Sequence, residues 1–199
     1  MADSPTPRRR MMVHGLTPAR VGPTAPTDAA ARNPSRPTAA LLIGHGYDIH
    51  RLAKDPGGKL VLAGVTVSEE ISVIAHSDGD VIYHALVDAI LGALGLADIG
   101  EIFPDTDPKW KGAASQIFVA EVFSRTRQMG YRVSNVDVTL LLEQPKVKPH
   151  KAQMIANIRA LLDQVNVVNV KAGTNEGCDA VGRGEAVAAH AVVLLARQS

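Results

Sequence analysis

Several residue types are scarce in this 199-residue chain, and each scarcity removes a class of protein. The single cysteine, Cys178, excludes an intrachain disulfide framework and favours a reducing compartment. No apolar stretch approaches the roughly 20 residues of a transmembrane helix. Aromatic residues are 4% of the chain and the net charge is +1, which argues against a dedicated nucleic-acid binder. With 46% apolar residues, the chain can still bury an ordinary core.

The first 40 residues differ in composition from the rest. They hold six arginines against two aspartates and seven of the 12 prolines, without helix or strand periodicity. Such a segment buries too little apolar surface to offset its loss of conformational entropy. We therefore predict a disordered Arg/Pro-rich N-terminal extension over 1–40 and one folded domain over 41–199. A transit peptide, a plain extension with a later start at Met11 or Met12, and a cloning remnant all fit this composition.

The hydrophobic pattern after residue 40 predicts an α+β domain. Strand patterns occur at 41–48, 131–143, 165–172 and 185–196, and a short hairpin or bulge at 59–67. Helical spacing occurs at 80–96, 115–129 and 151–164. Ser115 is the expected N-cap of the second helix. Strands and helices do not alternate regularly, which favours α+β over a doubly wound sheet, and 97–112 is predicted to be a long functional or mobile loop.

Three side chains form a candidate metal site. Asp48 and His50 are two positions apart on the first predicted strand, so they share one of its faces. His84 lies near the start of the first helix, and Asp88 one turn later is a candidate acceptor that orients its ring. Three ligands with an open fourth position are typical of a catalytic zinc. An incidental D-x-H and a polar histidine on an amphipathic helix fit the residues as well.

Two other segments carry phosphate-binding chemistry. Ser77 and Gly79 precede a helix, where unpaired N–H groups attract an anion, although an ordinary N-cap has the same composition. Arg183 lies between glycines and suits either a phosphate or a pairing with Glu185 or Asp179. Dinucleotide and P-loop motifs are missing, and the lone cysteine has no adjacent base that would make it a nucleophile.

The ordered motifs together resemble the 2-C-methyl-D-erythritol 2,4-cyclodiphosphate synthase family. The resemblance covers 42–195 and rests on GHGYDIH at 44–50, AHSDGD at 75–80, HALVD at 84–88, DIGEIFPDTD at 98–107 and GRGE at 182–185. It implies a compact single α+β domain, with helices packed on one face of a mixed sheet, and a homotrimer around a central cavity. It also implies a phosphorus–oxygen lyase of the non-mevalonate isoprenoid pathway. In that reaction, 4-diphosphocytidyl-2-C-methyl-D-erythritol 2-phosphate cyclises by intramolecular phosphoryl transfer and releases CMP.

The resemblance also implies roles for individual residues. Zn²⁺ or another divalent transition metal is expected on Asp48, His50 and His84, and Mg²⁺ or Mn²⁺ on the substrate phosphates and Glu176. His76 and Thr174 are expected to be catalytic, as stabilisers of the transition state. The expected substrate-binding residues are Asp48, His50, His76, Ser77, Asp98, Ile99, Gly100, Phe103, Asp105, Asp107, Leu142, Lys146, Lys148, Ala172, Gly173, Thr174, Asn175, Glu176 and Arg183.

The expected partner is a small cytidine diphosphate substrate, with neither nucleic acid nor membrane. Ala180 stands where some family members have an aromatic residue facing the cavity, which leaves open whether isoprenoid diphosphates bind there. The alternative to the enzyme is a non-catalytic trimeric protein that binds nucleotides or isoprenoid diphosphates. The expected location is the bacterial cytoplasm, or a plastid-type organelle if 1–40 is a transit peptide.

Overall fold

The computed structural model describes residues 37–104, 106–110 and 112–198. Its strands are β1 Leu41–Lys54, β2 Leu60–Leu62, β3 Val65–Ser68, β4 Ile71–Val73, β5 Tyr131–Leu141, β6 Val167–Gly173 and β7 Ala186–Arg197. Its α-helices are α1 Val81–Leu94, α2 Ile99–Ile102, α3 Gln116–Gln128 and α4 Lys151–Leu161. None of the helices in these described segments is long and apolar enough to cross a bilayer.

The main sheet has five strands in the order β4-β1-β7-β5-β6. Only β5 and β6 are parallel, and the other neighbouring pairs are antiparallel. The strands β2 and β3 form a separate antiparallel pair. The predicted α+β class is therefore confirmed, with a mixed sheet.

Helix α1 packs closely against β1 because two glycines of the strand lie beneath it. A Cβ atom on Gly44 would lie 1.8 Å from the Ala89 carbonyl oxygen, and one on Gly46 would lie 2.0 Å from that of Ala85. Both distances are far shorter than any non-bonded contact, so any residue larger than glycine would force the helix away from the strand.

The alternation of β1 decides which of its side chains meet the helix. Positions 44 and 46 are buried under α1, and Asp48 and His50 continue on this face because strand side chains alternate. The odd-numbered positions point to the other face, where Ile43, Tyr47 and Ile49 are exposed. The shared face predicted for Asp48 and His50 is confirmed.

The structure extends the predicted elements in three places. Strand β1 continues to Lys54, six residues past its predicted end, and there pairs with β4, which has no pattern of its own. The predicted loop 97–112 contains α2 and a 3₁₀ turn at Pro108–Trp110.

The predicted N-terminal extension falls mostly on 1–36, outside the described residues. Of its remainder, Pro37 and Ala39 have carbonyl oxygens within 2.9 and 2.7 Å of the Tyr131 hydroxyl.

The first prediction tests the close packing of α1. Replacing Gly46 by alanine should lower the free energy of unfolding by about 1–3 kcal/mol, because the added methyl overlaps a helix carbonyl. Gly92→Ala is the matched control, since Gly92 is exposed on α1 and its Cβ would meet only the His45 carbonyl oxygen at 3.9 Å. That variant should be neutral or stabilised by up to about 1 kcal/mol. Equal urea midpoints for the two variants would contradict the packing argument.

Candidate metal centre and substrate cleft

Three potential metal ligands converge between β1 and α1. Asp48 Oδ2 lies 2.9 Å from His50 Nε2 and 3.0 Å from His84 Nδ1, and the two imidazole nitrogens are 3.0 Å apart. The set is partly buried, and it is the one cluster of three or more potential ligands among the described residues. The predicted triad is therefore brought together in space.

The start of α1 is fixed by Asp80, which places His84 one turn into the helix. The fully buried Asp80 carboxylate accepts the backbone N–H groups of Ile82 and Tyr83, and also those of Ala63 and Gly64. Burial raises the pKa of Asp80 to about 6, although the bonds from Gly64 and Ala63 act in the opposite direction. Asp80 thereby fastens the helix to the turn between β2 and β3.

The donor set fits a divalent transition metal. Burial opposes ionisation of Asp48, but its hydrogen bonds with the His50 and His84 rings outweigh burial and hold its pKa well below the usual range. One carboxylate and two imidazoles are typical zinc ligands. Ligands about 2.0–2.1 Å from a tetrahedral ion are roughly 3.3 Å apart, so the present spacings would open by only a few tenths of an ångström.

The proposed role of Asp88 in orienting His84 is wrong. Its carboxylate instead accepts the backbone N–H of Ile99 at 2.8 Å, and burial raises the pKa of Asp88. The far nitrogen of the His84 ring, Nε2, contacts the hydroxyls of Ser115 at 2.8 Å and Ser77 at 3.1 Å. Spacing along the helix suggested Asp88, whereas the partners come from two segments that only the tertiary fold brings to the ring.

A cleft of about 690 Å³ opens beside the three ligands. The predicted substrate residues that line it are Asp48, His50, His76, Ser77, Ile99, Gly100 and Phe103. Asp98 caps α2 by accepting the Glu101 N–H, and Asp107 accepts the Lys109 N–H. Asp105 lies outside the described residues.

One wall of the cleft is aromatic, and of its three rings the sequence predicted only that of Phe103. Trp110 meets both Phe103 and Phe118 edge-on at centroid distances of 5.2 and 5.5 Å, and Phe118 lies 6.3 Å from the His84 ring. These residues come from the loop 97–112 and from α3. Trp110 and Phe118 are ordinary apolar residues in their own segments, so no local signal marks them as part of a site.

Six of the other predicted residues lie around a second, smaller pocket of about 310 Å³. Its lining includes Leu142, Lys146, Lys148, Ala172, Gly173 and Thr174. Three lysines, Lys146, Lys148 and Lys151, surround it and give it an excess of positive charge. The two pockets share no residue. Within one chain, the predicted residues beside the candidate metal site are therefore separate from the residues predicted to bind the nucleotide.

The sheet register measures this separation. Asp48 is opposite Ala189, Ala189 opposite Leu140, and Leu140 opposite Ala172. Neighbouring strands are about 4.8 Å apart, so Asp48 and Ala172 are roughly 14 Å apart across the sheet. Predicted catalytic and metal-binding residues just after Ala172 are thus separated from the triad of the same chain.

The loop after β6 holds Thr174 and Glu176 close together. The Thr174 hydroxyl donates to a Glu176 carboxylate oxygen at 2.7 Å, and the Asn175 N–H donates to Glu143 at 2.8 Å. Glu176 has φ of 52°, a left-handed conformation that is unfavourable for a residue other than glycine. Such conformations are concentrated at functional sites, which agrees with a role for this loop.

Arg183 takes the pairing alternative left open by the sequence. Its guanidinium donates to Glu185 through Nε at 3.2 Å and Nη2 at 3.0 Å. It lines neither of the two pockets and instead belongs to a surface depression beside Arg51 and Lys54. Its expected contact with substrate stays a prediction.

Comparisons with known proteins agree on one family. The YgbB family model matches residues 41–196. The chloroplastic 2-C-methyl-D-erythritol 2,4-cyclodiphosphate synthase of Arabidopsis thaliana is 49% identical over 82% of this chain and 71% of that protein. The 2-C-methyl-D-erythritol 2,4-cyclodiphosphate synthase of Proteus mirabilis is 49% identical over 80% of this chain and 99% of that protein.

Solved structures give the same result. The IspF–CDP complex from Plasmodium falciparum has a TM-score of 0.71 and 34% identity, covering 80% of this chain and 98% of that one. The bifunctional IspDF of Campylobacter jejuni has a TM-score of 0.74 and 40% identity over 79% of this chain. This chain spans only 42% of that bifunctional protein.

The second prediction concerns metal retention. His84→Ala should lose bound zinc, because only two of the three converging side chains remain. His150→Ala is the control, since His150 lies outside the triad and outside both pockets. Elemental analysis after gel filtration measures the zinc, and circular dichroism checks the fold. Stoichiometric zinc in folded His84→Ala protein would remove His84 from the ligand set.

Proposed function

Because the chain belongs to the YgbB family, whose relatives are named 2-C-methyl-D-erythritol 2,4-cyclodiphosphate synthases, we propose that it cyclises 4-diphosphocytidyl-2-C-methyl-D-erythritol 2-phosphate. An oxygen of the 2-phosphate attacks the β-phosphorus, the bond from that phosphorus to the oxygen of the α-phosphate breaks, and CMP leaves with that oxygen. The enzyme is then a phosphorus–oxygen lyase. The convergence of Asp48, His50 and His84 beside the large cleft is the observation that carries this proposal.

The reaction requires two anionic phosphates to approach each other, and the residues present suit that requirement. When bound, Zn²⁺ or a similar ion supplies Lewis acidity at the β-phosphate, and Mg²⁺ or Mn²⁺ neutralises the diphosphate. Asp48, His50 and His84 would hold the transition metal, and Glu176 offers the single carboxylate with which proteins often bind magnesium together with substrate phosphates. No protein nucleophile is needed, because the substrate carries its own.

Two residues at the cleft rim are suited to the attacking phosphate. His76 and Ser77 line the cleft immediately before α1, on the side that follows β4. We assign them to the 2-phosphate and assign His76, with Thr174, to stabilisation of charge in the transition state. Phosphoryl transfer depends chiefly on such positioning and charge stabilisation.

The aromatic wall explains how cyclisation can prevail over hydrolysis. Phe103, Trp110 and Phe118 form a packed cluster along the cleft and next to His84. Apolar rings beside the diphosphate leave little room for an attacking water molecule. The tethered 2-phosphate then becomes the nearest nucleophile, since binding holds it in a reactive orientation.

The nucleotide is assigned to the second pocket, and the complete site to two copies of the chain. The Plasmodium falciparum relative was solved in complex with CDP. The pocket around Lys146, Lys148 and Thr174 has the positive charge to accept a nucleoside diphosphate. A roughly 14 Å separation within one chain is too large for one diphosphate to contact both Asp48 and the loop after Ala172. A neighbouring copy can supply the missing half.

We propose a homotrimer as the assembly that completes this site. We propose that all the long helices pack on the α1 face of the sheet. The opposite face then remains for neighbouring copies around a central cavity. That opposite face exposes Ile43, Tyr47, Ile49 and Val192. Several exposed apolar side chains on one sheet face are typical of surfaces that become buried on association.

Relatives of two kinds bear on the cellular location. The family includes chloroplastic plant proteins and bacterial proteins at the same level of identity. We propose a bacterial cytoplasmic location, with a plastid-type organelle as the alternative if the Arg/Pro-rich segment is a transit peptide.

The third prediction tests the reaction. The wild-type protein with zinc and magnesium should release CMP and form a cyclic diphosphate, detected by chromatography and ³¹P NMR. Thr174→Ala should lower turnover by roughly 10²-fold or more while zinc is retained, because it removes a donor near the transferring phosphate. Thr66→Ala, an exposed hydroxyl on β3, should leave turnover unchanged.

The reaction product separates the proposed function from its competitors. A linear bisphosphate with CMP would identify a hydrolase in place of a cyclase. Tight cytidine nucleotide binding with neither CMP nor cyclic product would identify a non-catalytic binding protein. Either result would overturn the proposal.

The fourth prediction tests whether the site is shared between copies. His84→Ala damages the metal side and Thr174→Ala damages the nucleotide side, so each protein alone should be nearly inactive. When the two are mixed one to one and allowed to exchange subunits, about a quarter of the intersubunit sites combine two undamaged halves. Activity should therefore recover to about a quarter of the wild-type value.

A double variant provides the control for this mixing experiment. Mixing His84→Ala/Thr174→Ala with either single variant should restore nothing, because the double variant contributes no undamaged half. Light scattering should give a mass near three times the 21.0 kDa chain. A trimeric mixture that stays inactive would place both halves of the site in one chain.

A further inference from the structure

A buried hydroxyl connects the His84 ring to a second carboxylate. Ser115 is fully buried, and its Oγ lies 2.8 Å from His84 Nε2 and in short contact with Asp78 Oδ1. Ser115 precedes α3, but its side chain makes no capping hydrogen bond to that helix. Ser115 is therefore the N-cap residue by position, as predicted, but its hydroxyl does not cap the helix and is directed at the candidate metal ligand instead.

The direction of these hydrogen bonds follows from the number of protons available. Asp78 accepts the backbone N–H groups of Ser115 at 3.0 Å and Asp80 at 3.2 Å, so its carboxylate acts as an acceptor. The single hydroxyl proton of Ser115 must then point at Asp78. With that proton used, Ser115 Oγ can only accept from His84, which requires the ring proton to be on Nε2.

This arrangement leaves the metal-facing nitrogen of His84 with its lone pair. Nδ1 is the atom that faces Asp48 and His50. Asp48 Oδ2, at 3.0 Å, attracts a proton to Nδ1, which would block metal binding there. The acceptor at the opposite end of the ring offsets that attraction and favours the tautomer that a metal needs.

We infer that Ser115 and Asp78 are positioning residues that hold His84 in its metal-binding tautomer and orientation. The inference deepens the proposed function and rests on its metal site. Ser77 Oγ, at 3.1 Å from Nε2, is a weaker second contact, because it is longer than the 2.8 Å contact of Ser115 and Ser77 is only partly buried. Ser115 is both closer and committed by Asp78 to accepting.

Metal affinity is the first test. Ser115→Ala should weaken zinc binding by about 10–100-fold in competition with a chromophoric chelator, because the ring loses its fixed partner. Thr126→Val is the matched control: Thr126 has a fully buried hydroxyl on α3, the helix that Ser115 precedes, and it donates to the Val122 carbonyl and not to the site. It should leave zinc affinity unchanged. Unchanged affinity in folded Ser115→Ala protein would overturn the inference.

A variant that reverses the directions of the Asp78–Ser115 and Ser115–His84 hydrogen bonds is a sharper test. In Asp78→Asn, the amide group can donate to Ser115 Oγ, which frees the hydroxyl to donate to His84 and stabilises the wrong tautomer. Zinc affinity should fall at least as far as in Ser115→Ala, with the size of the side chain preserved. Asp78→Asn protein that is folded by circular dichroism and binds zinc as the wild type does would contradict the assigned proton directions.

A direct reading of the tautomer separates this inference from the proposed function. Long-range ¹H–¹⁵N NMR of the metal-free full chain at mildly alkaline pH should show His84 protonated on Nε2, and Ser115→Ala should move the proton to Nδ1. An Nδ1 proton in the wild type would overturn the inference whatever the activity. Failure of the wild type to bind zinc at all would contradict the proposed metal site. The tautomer result would still decide the role of Ser115.

Discussion

The approach of α1 to β1 over Gly44 and Gly46 is the constraint on which the rest of the site depends. Methyl groups at these positions would overlap helix carbonyl oxygens, so only glycine lets the helix lie this close. The strand then carries Asp48 and His50 under the helix, and the helix presents His84 at 3.0 Å from Asp48. A helix displaced by even the width of one side chain would separate the ligands beyond the reach of one ion, because first-shell distances tolerate only about 0.2 Å.

A substrate that contains its own nucleophile and leaving group changes what the protein must provide. The chain needs no reactive side chain, and among the described residues its only free thiol, Cys178, is exposed and far in sequence from the triad. What it provides is positive charge, an apolar wall and two anchoring regions. These regions lie about 14 Å apart across one sheet, since three strand spacings separate Asp48 from Ala172. The proposed division of the site between copies rests on this register, and under that proposal assembly is a condition for activity.

The sequence predicted the parts of the fold and site that depend on residue patterns within one segment. The spacing of Asp48 and His50, and the helical pattern around His84, placed all three candidate ligands on the correct elements. Ser115 is the N-cap residue that the sequence predicted, but a serine there normally caps the helix with its side chain, and only the tertiary contacts with Asp78 and His84 redirect the hydroxyl. Strand β4 has three residues and is defined by its pairing with β1, so it left no pattern. Interactions between distant segments are what local patterns do not encode.

His84 lies between two carboxylates that make opposing demands on its single proton. Asp48 attracts the proton to the nitrogen that a metal requires bare, whereas Ser115, whose own hydroxyl proton is donated to Asp78, accepts the His84 proton at the opposite nitrogen. Without the second carboxylate, the anionic ligand that attracts a metal would also favour protonation of the neighbouring ligand. An acidic side chain in a mixed carboxylate–imidazole site therefore creates a need for an acceptor behind each imidazole. The buried hydroxyl of Ser115 meets that need at His84 without adding another charge beside the cleft.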